Sequence, residues 1–198
     1  MSCWVIIPVK PPGEGKLRLA RVLDGNARNR LVRAMLAHVV AAVSAAVSVD
    51  HICILGASRH DQPDTFPLLG DPGSGLNGAL TEALGEAEAT GASRVVFIAA
   101  DLPRITARDV EALAGAAQIA IAPDRHGTGT NAIALPLPDA SGFTFAYGAD
   151  SFAAHRAEAC RLGLDVEIIA SPGLACDVDV PEDLADAAGQ WEERRPAR

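Results

Sequence analysis

Short apolar runs recur along this chain at residues 3–9, 51–55, 94–100, 119–122 and 166–169, with helix-forming segments between them, and this alternation constrains the fold most. Runs of this length, rich in Val, Ile and Leu, read as strands buried on both faces. The intervening segments 29–48 and 76–89 are too long and too rich in Ala and Leu for strands, so they are expected as helices. Residues 108–117, 151–163 and 181–191 supply three more, the last with Pro181 in its first turn and Asp179 as its cap. A βαβ series of this kind packs as a mostly parallel central sheet with helices on both faces, and ligands gather at the carboxyl ends of its strands. Residues 131–135 depart from the alternation, because they follow a Gly/Asp/Thr-rich loop and are closed by Pro136 and Pro138. They predict a small β-hairpin excursion beside the main sheet.

A length of 198 residues suits one α/β domain over 1–191, with a charged tail at 192–198. The net charge of −8 argues against a nucleic-acid partner, so a polyanionic ligand must meet local cations or a metal. Cys3, Cys53, Cys160 and Cys176 form no C-x-x-C pair, which fits a reducing cytoplasm. The longest apolar stretch, 39–49, falls short of the roughly 20 residues a membrane span needs. Pro8 and Lys10 end the first apolar run too early for a signal peptide.

The chemistry-bearing residues fall in the loops that leave these strands. The first strand runs into P-V-K-P-P-G-E-G-K-L-R, which holds the chain's two lysines, Lys10 and Lys16, together with Arg18. Compact ammonium charges on a Gly-rich loop suit the gripping of triphosphate oxygens, with solvated surface lysines as the alternative. Leu17 follows Lys16 where a Walker loop would carry Ser or Thr, and no G-x-G-x-x-G opens a helix, so P-loop and dinucleotide folds are disfavoured.

Asp101, at the exit of the 94–100 strand, can be a metal ligand or a turn residue before Pro103. Asp177 and Asp179, two apart in an extended segment, point the same way and can share a cation or only cap a helix. Asp101 and this pair together would suit magnesium carrying a nucleotide. The turn at Gly75 to Asn77 opens a helix whose free amides can approach a base or phosphate, and the Asn77 amide can read a base edge; the alternative is an ordinary helix entry. The loop 123–131 concentrates glycines, the Arg125 cation and hydroxyls, Thr130 among them, and can wrap a small anion or form a tight hairpin. Ser151 stands at a helix start, where it can bind phosphate or carboxylate or serve as a cap. No histidine pair has metal-ligand spacing, and His155 is expected to be packing or surface.

Taken in order, I-P-V-K, G-K-x-R-L-A, G-L-N-x-A-L, A-D-L-P, D-R-x-G-T-G-T-N, Y-G-x-x-S-F-x-x-H and D-V-D-x-P-E-D-L run from Ile6 to Leu184. The set resembles the 2-phospho-L-lactate guanylyltransferase family of deazaflavin-coenzyme biosynthesis, whose relatives use phosphoenolpyruvate or 3-phosphoglycerate. The resemblance implies a nucleotidyltransferase fold related to GT-A domains and transfer of GMP from GTP to a phospho-acid over bound magnesium. It implies Asp101, Asp177 and Asp179 as metal ligands, with Lys16 and Asp101 at the reaction centre. Lys10, Lys16, Arg18, Gly75 and Asn77 fall on the nucleotide side, and Thr130, Gly148 and Ser151 on the acceptor side. A homodimer is compatible with it, and the product would pass to a deazaflavin-transferring enzyme. The rival readings are a nucleotidyltransferase with a pterin or sugar-phosphate acceptor, a GT-A glycosyltransferase, and a non-catalytic nucleotide-binding module.

Overall fold

A computed structural model describes residues 2–70 and 73–184. Seven strands form one mixed sheet: β1 (Cys3–Pro8), β2 (His51–Leu55), β3 (Leu68–Leu69), β4 (Arg94–Ile98), β5 (Ile119–Pro123), β6 (Thr130–Pro136) and β7 (Val166–Ile168). Their order across the sheet is β3-β2-β1-β4-β6-β5-β7. Every neighbouring pair is parallel except those made by β6, which is antiparallel to both β4 and β5. The expected hairpin is therefore not beside the sheet but inside it. The reason is legible in β6 itself, since its first six residues are all buried and a strand buried on both faces belongs in the interior of a sheet.

Alternation along the strands builds two cores. Val5 and Ile7 of β1 face α1 (Gly25–Ser44), α3 (Ala107–Gly115) and α5 (Pro172–Ala175), whereas Ile6 faces α2 (Gly75–Ala89) and α4 (Ser151–Arg161). On the first face β5 and β6 present Ala120, Ala122, Ala132 and Ala134. These small side chains leave room for α5 to lie close to the sheet, and α5 delivers the chain directly to Asp177.

Local capping explains where two helices begin. Asp24 accepts the Ala27 N–H at 2.7 Å and starts α1 at Gly25, four residues ahead of the expected Asn29. Asn29 instead lies within the helix and accepts the Gly13 N–H at 2.9 Å, which ties the helix to the loop after β1. Thr106 and Asp109 form a reciprocal capping box on α3. Residues 181–184 are helical, and the rest of the helix expected over 181–191, like the tail at 192–198, lies outside the described residues. Its entry is held by Asp183 Oδ2, which accepts the N–H groups of Asp179 and Val180 at 2.7 and 2.9 Å. Asp179 is therefore not that helix's cap, and its carboxylate is free for other work.

Because β6 runs antiparallel, its first residues lie at the same sheet edge as the carboxyl ends of β4 and β5. The register pairs Ile98 with Ala132 and Pro123 with Thr130, and the Ala99 N–H donates to the Asn131 carbonyl at 2.9 Å. The topology alone thus sets Thr130 and Asn131 beside the 99–101 exit.

Candidate active site

The loop after β1 folds back on the sheet edge under two constraints. Gly15 lies close against α1, where an added Cβ would lie 2.9 Å from Val32 Cγ2 and one of the two would have to shift. Lys16 then adopts a left-handed conformation (φ 56°, ψ 39°) before a 3-10 helix over Leu17–Arg21. Such a backbone costs a non-glycine residue roughly 1 kcal/mol and persists only where its surroundings hold it. The hold comes from a small apolar cluster of Leu19, Met35 and Val178, all buried. Val178 sits between the two C-terminal aspartates, so the cluster that pins the cationic loop also pins the D-V-D segment.

Lys16 Nζ is drawn between carboxylates from two distant segments. It donates to Asp101 Oδ2 and, at 2.9 Å, to Asp179 Oδ1, with only 9% of its side chain exposed. Burial works to lower the Lys16 ammonium, but Asp101 and Asp179 outweigh it and hold the group above its ordinary pKa. For Asp179 burial works upward, and the nearby Lys16, Arg18 and Lys10 charges bring the net shift downward. Asp177 moves the other way, pushed up by burial and then by the charge of Asp101. Its Oδ1 accepts from Asn131 Nδ2 at 3.3 Å, and Arg125 Nη2 donates to its carbonyl at 2.6 Å. Arg125 also reaches Asp183 Oδ1 at 3.2 Å, which clamps the D-V-D segment from both ends.

The three aspartates thus meet at one edge without forming a closed cage. Among the described residues no group of three or more His, Cys, Asp or Glu side chains is placed to hold a metal ion. Lys16 lies between Asp101 and Asp179, and Asp177 turns toward Asn131. Arg18 is an outlying charge, 4.0 Å from Asp179 Oδ2 and 76% exposed. Lys10 is exposed, and its backbone carbonyl accepts from His60 Nε2 at 2.9 Å.

The second half of the edge is built from neutral groups. Thr130 and Ser151 are both buried, and the Thr130 N–H donates to Ser151 Oγ at 3.0 Å. Ser151 is the first helical residue of α4 and not its cap, a position held by Asp150 in a left-handed conformation without a capping side-chain bond. Behind Thr130 lies His155, fully buried, with Nδ1 2.9 Å from Thr130 Oγ1 and Nε2 accepting the Ala146 N–H at 3.0 Å. Burial lowers the His155 pKa to about 4, so the ring is neutral near pH 7.

Asn77, expected to read a base edge, has each end of its amide engaged once by the Tyr147 backbone. Its Nδ2 donates to the Tyr147 carbonyl at 3.2 Å, and its Oδ1 accepts the Tyr147 N–H at 2.8 Å. The side chain therefore clamps the start of α2, where Gly75 takes a φ of +74°, to the loop that carries Gly148 at φ +145°. It joins the expected nucleotide turn to the expected acceptor loop.

Sequence reasoning took Arg125 only as a cation in an anion-wrapping loop, gave Asn131 no role of its own and read His155 as packing or surface, although each stands as a fixed letter in D-R-x-G-T-G-T-N or Y-G-x-x-S-F-x-x-H. The signal was polarity inside an otherwise apolar or glycine-rich run. Its meaning needed the antiparallel placement of β6.

The family profile described as "Guanylyl transferase CofC like" matches residues 3–190. A phosphoenolpyruvate guanylyltransferase from Sphaerobacter thermophilus is 40% identical, over 96% of this chain and 94% of that protein. A 2-phospho-L-lactate guanylyltransferase from Halorubrum lacusprofundi is 36% identical, over 92% of this chain and 82% of its own length. In structure, a nucleotidyl transferase from Methanothermobacter aligns with a TM-score of 0.69 at 13% identity, over 98% of this chain and 99% of that one, a likeness of fold. A family match spanning nearly the whole chain, joined to a sheet edge where a lysine, three aspartates and a buried hydroxyl pair meet, identifies the chain as a member of the CofC-like guanylyl transferase family.

Proposed function

We propose that this chain works as a single domain that transfers GMP from GTP to the phosphate of a small phosphorylated acid, releasing pyrophosphate, in the making of a deazaflavin coenzyme. The observation that carries the reading is the meeting of Lys16, Asp101 and Asp179 beside the buried Thr130–Ser151 pair. One half is charged and suits a triphosphate; the other is neutral and suits a small anion.

In the proposed reaction an oxygen of the acceptor phosphate attacks the α-phosphorus of GTP. A new P–O bond forms, the α–β bridging P–O bond breaks, and its electron pair leaves with pyrophosphate. The nucleophile is already anionic, so no strong general base is required. Lys16 offsets charge on the triphosphate, while Thr130 and Ser151 orient the acceptor.

The donor chemistry fits magnesium. Asp101, Asp177 and Asp179 bring three carboxylates to one sheet edge, where the single Lys16 ammonium pairs with two of them, and Asp177 is raised first by its own burial and then by the charge of Asp101. Magnesium keeps several waters and binds through one or two carboxylates plus substrate phosphates, so a cage of three protein ligands is not required. One or two of Asp101, Asp177 and Asp179 would hold it beside the triphosphate, where it would supply charge neutralisation on the transferring phosphoryl group.

Phosphoenolpyruvate is the acceptor to try first, because the relative at 40% identity is named for it. Incubation with GTP, magnesium and, in separate reactions, phosphoenolpyruvate, 2-phospho-L-lactate and 3-phosphoglycerate should give one guanylyl adduct by mass and matching pyrophosphate. Absence of adduct with all three, from folded protein, would contradict the reading.

A further inference from the structure

The hydrogen bonds around Thr130 have a fixed direction, and the direction follows from a group that cannot reverse. The Ala146 backbone N–H can only donate, and it points at His155 Nε2 at 3.0 Å. That nitrogen must therefore carry a lone pair, which excludes both the Nε2–H tautomer and the doubly protonated ring. The remaining proton sits on Nδ1, 2.9 Å from Thr130 Oγ1. His155 donates, and the Thr130 hydroxyl accepts.

The same logic applies to Ser151, whose Oγ accepts the Thr130 backbone N–H at 3.0 Å. Each hydroxyl has one hydrogen and two acceptor sites. In both, an acceptor site is used on the protein side, and neither hydroxyl hydrogen meets an acceptor among the described residues. The first turn of α4 adds less than a helix start can, since the Phe152 N–H is spent on the Thr128 carbonyl at 3.0 Å. Two buried hydroxyl hydrogens lacking protein acceptors form a site that favours a ligand oxygen bearing charge and lone pairs.

We propose that His155 is a positioning residue: by holding Thr130 Oγ1 as an acceptor, it commits the Thr130 hydroxyl hydrogen to the substrate, so that Thr130 and Ser151 together recognise an anionic oxygen of the phospho-acid. The proposal rests on the guanylyl-transfer reading for the identity of that substrate. It assigns the histidine no contact with reacting atoms and no proton transfer.

The first test needs no variant. Long-range 1H–15N spectra of the native protein near pH 7 should show His155 with a protonated Nδ1 and an unprotonated Nε2; the opposite tautomer overturns the proposal. The second compares His155→Phe with His155→Gln, whose amide can accept from Ala146 and donate to Thr130 at once. His155→Phe should raise the KM for phosphoenolpyruvate about tenfold with the GTP KM unchanged, and adding Thr130→Val should raise it little further. His155→Gln should recover most of that loss. An unchanged acceptor KM in a folded His155→Phe protein overturns the proposal, as does an equal rise in both KM values. If the Phe variant fails to fold, the tautomer and the acceptor KM of the Gln variant with and without Thr130→Val decide. A working enzyme with the wrong tautomer strikes at His155 alone, whereas the right tautomer with no adduct from any phospho-acid removes the substrate reading and the proposal with it.

Discussion

The two halves of this sheet edge are built by different physics. The lysine–aspartate half is ionic, lies on loops from three separate parts of the chain, and stays open to water, with the Asp179 side chain half exposed. The Thr130–Ser151–His155 half is neutral, buried, and fixed by directional hydrogen bonds between β6 and α4. Charge tolerates movement, because attraction falls slowly with distance; hydrogen bonds do not. On the proposed reading the first half suits a flexible triphosphate and the second a small rigid acid. Asn77 links the two through Tyr147.

The largest expected effect falls on the ionic half. Asp101→Asn, Asp177→Asn and Asp179→Asn each remove a negative charge at nearly constant volume and should lower kcat/KM by on the order of 10²- to 10³-fold with thermal unfolding little changed. Initial rates against magnesium concentration check this, and full activity in any one variant removes that residue from the site.

The neutral half should declare itself in stability. His155 has a folded pKa of about 4 against an ordinary value of 6.5. A depressed histidine binds its proton in the unfolded chain first, so its contribution is fully present above pH 6.5 and is lost as pH falls toward 4. The loss should approach about 3 kcal/mol at the acid end. Denaturant midpoints over this window should fall less steeply in His155→Gln than in the native protein; parallel curves would mean that the ring is not held neutral.

Within the ionic half, burial separates the two lysines. Lys16→Ala should lower turnover by about tenfold or more, and Lys10→Ala by only about two- to threefold, since one ammonium is enclosed by carboxylates and the other is exposed. Equal small losses would return both to the solvated surface.

How far the sequence disclosed this contrast depends on the range of each interaction. The strands and the long helices were legible because apolar periodicity is local, and the residues 51–55 expected as a strand are β2. Lys16, Asp101 and Asp179 were legible as types of residue at strand exits, but not as one ion-paired group, since 85 and 163 residues separate the lysine from its partners. The buried half was least legible. Asn77 read as a base contact because its side chain is polar at a helix start, and nothing local foretold its bonds to the Tyr147 backbone 70 residues away. His155 read as packing or surface because nothing local marks a histidine whose two nitrogens meet Thr130 and Ala146. Long-range packing of helices and loops on the sheet created those roles, and β6, which carries Thr130, had been expected outside it.

The separation of the two halves is tested most directly by two-substrate kinetics on Thr130→Val and Ser151→Ala. On the proposed reading each variant loses one hydroxyl donor to the acceptor, so the KM for the phospho-acid should rise about tenfold, equivalent to about 1.4 kcal/mol, while the KM for GTP stays within about twofold. Ser151→Ala also strips the buried Thr130 N–H of its acceptor and should cost about 1–3 kcal/mol of stability, so unfolding is measured on the same preparations. A selective rise in the acceptor KM supports two sites with separate tasks; a GTP KM that rises by the same factor, or an acceptor KM that stays unchanged, contradicts that division.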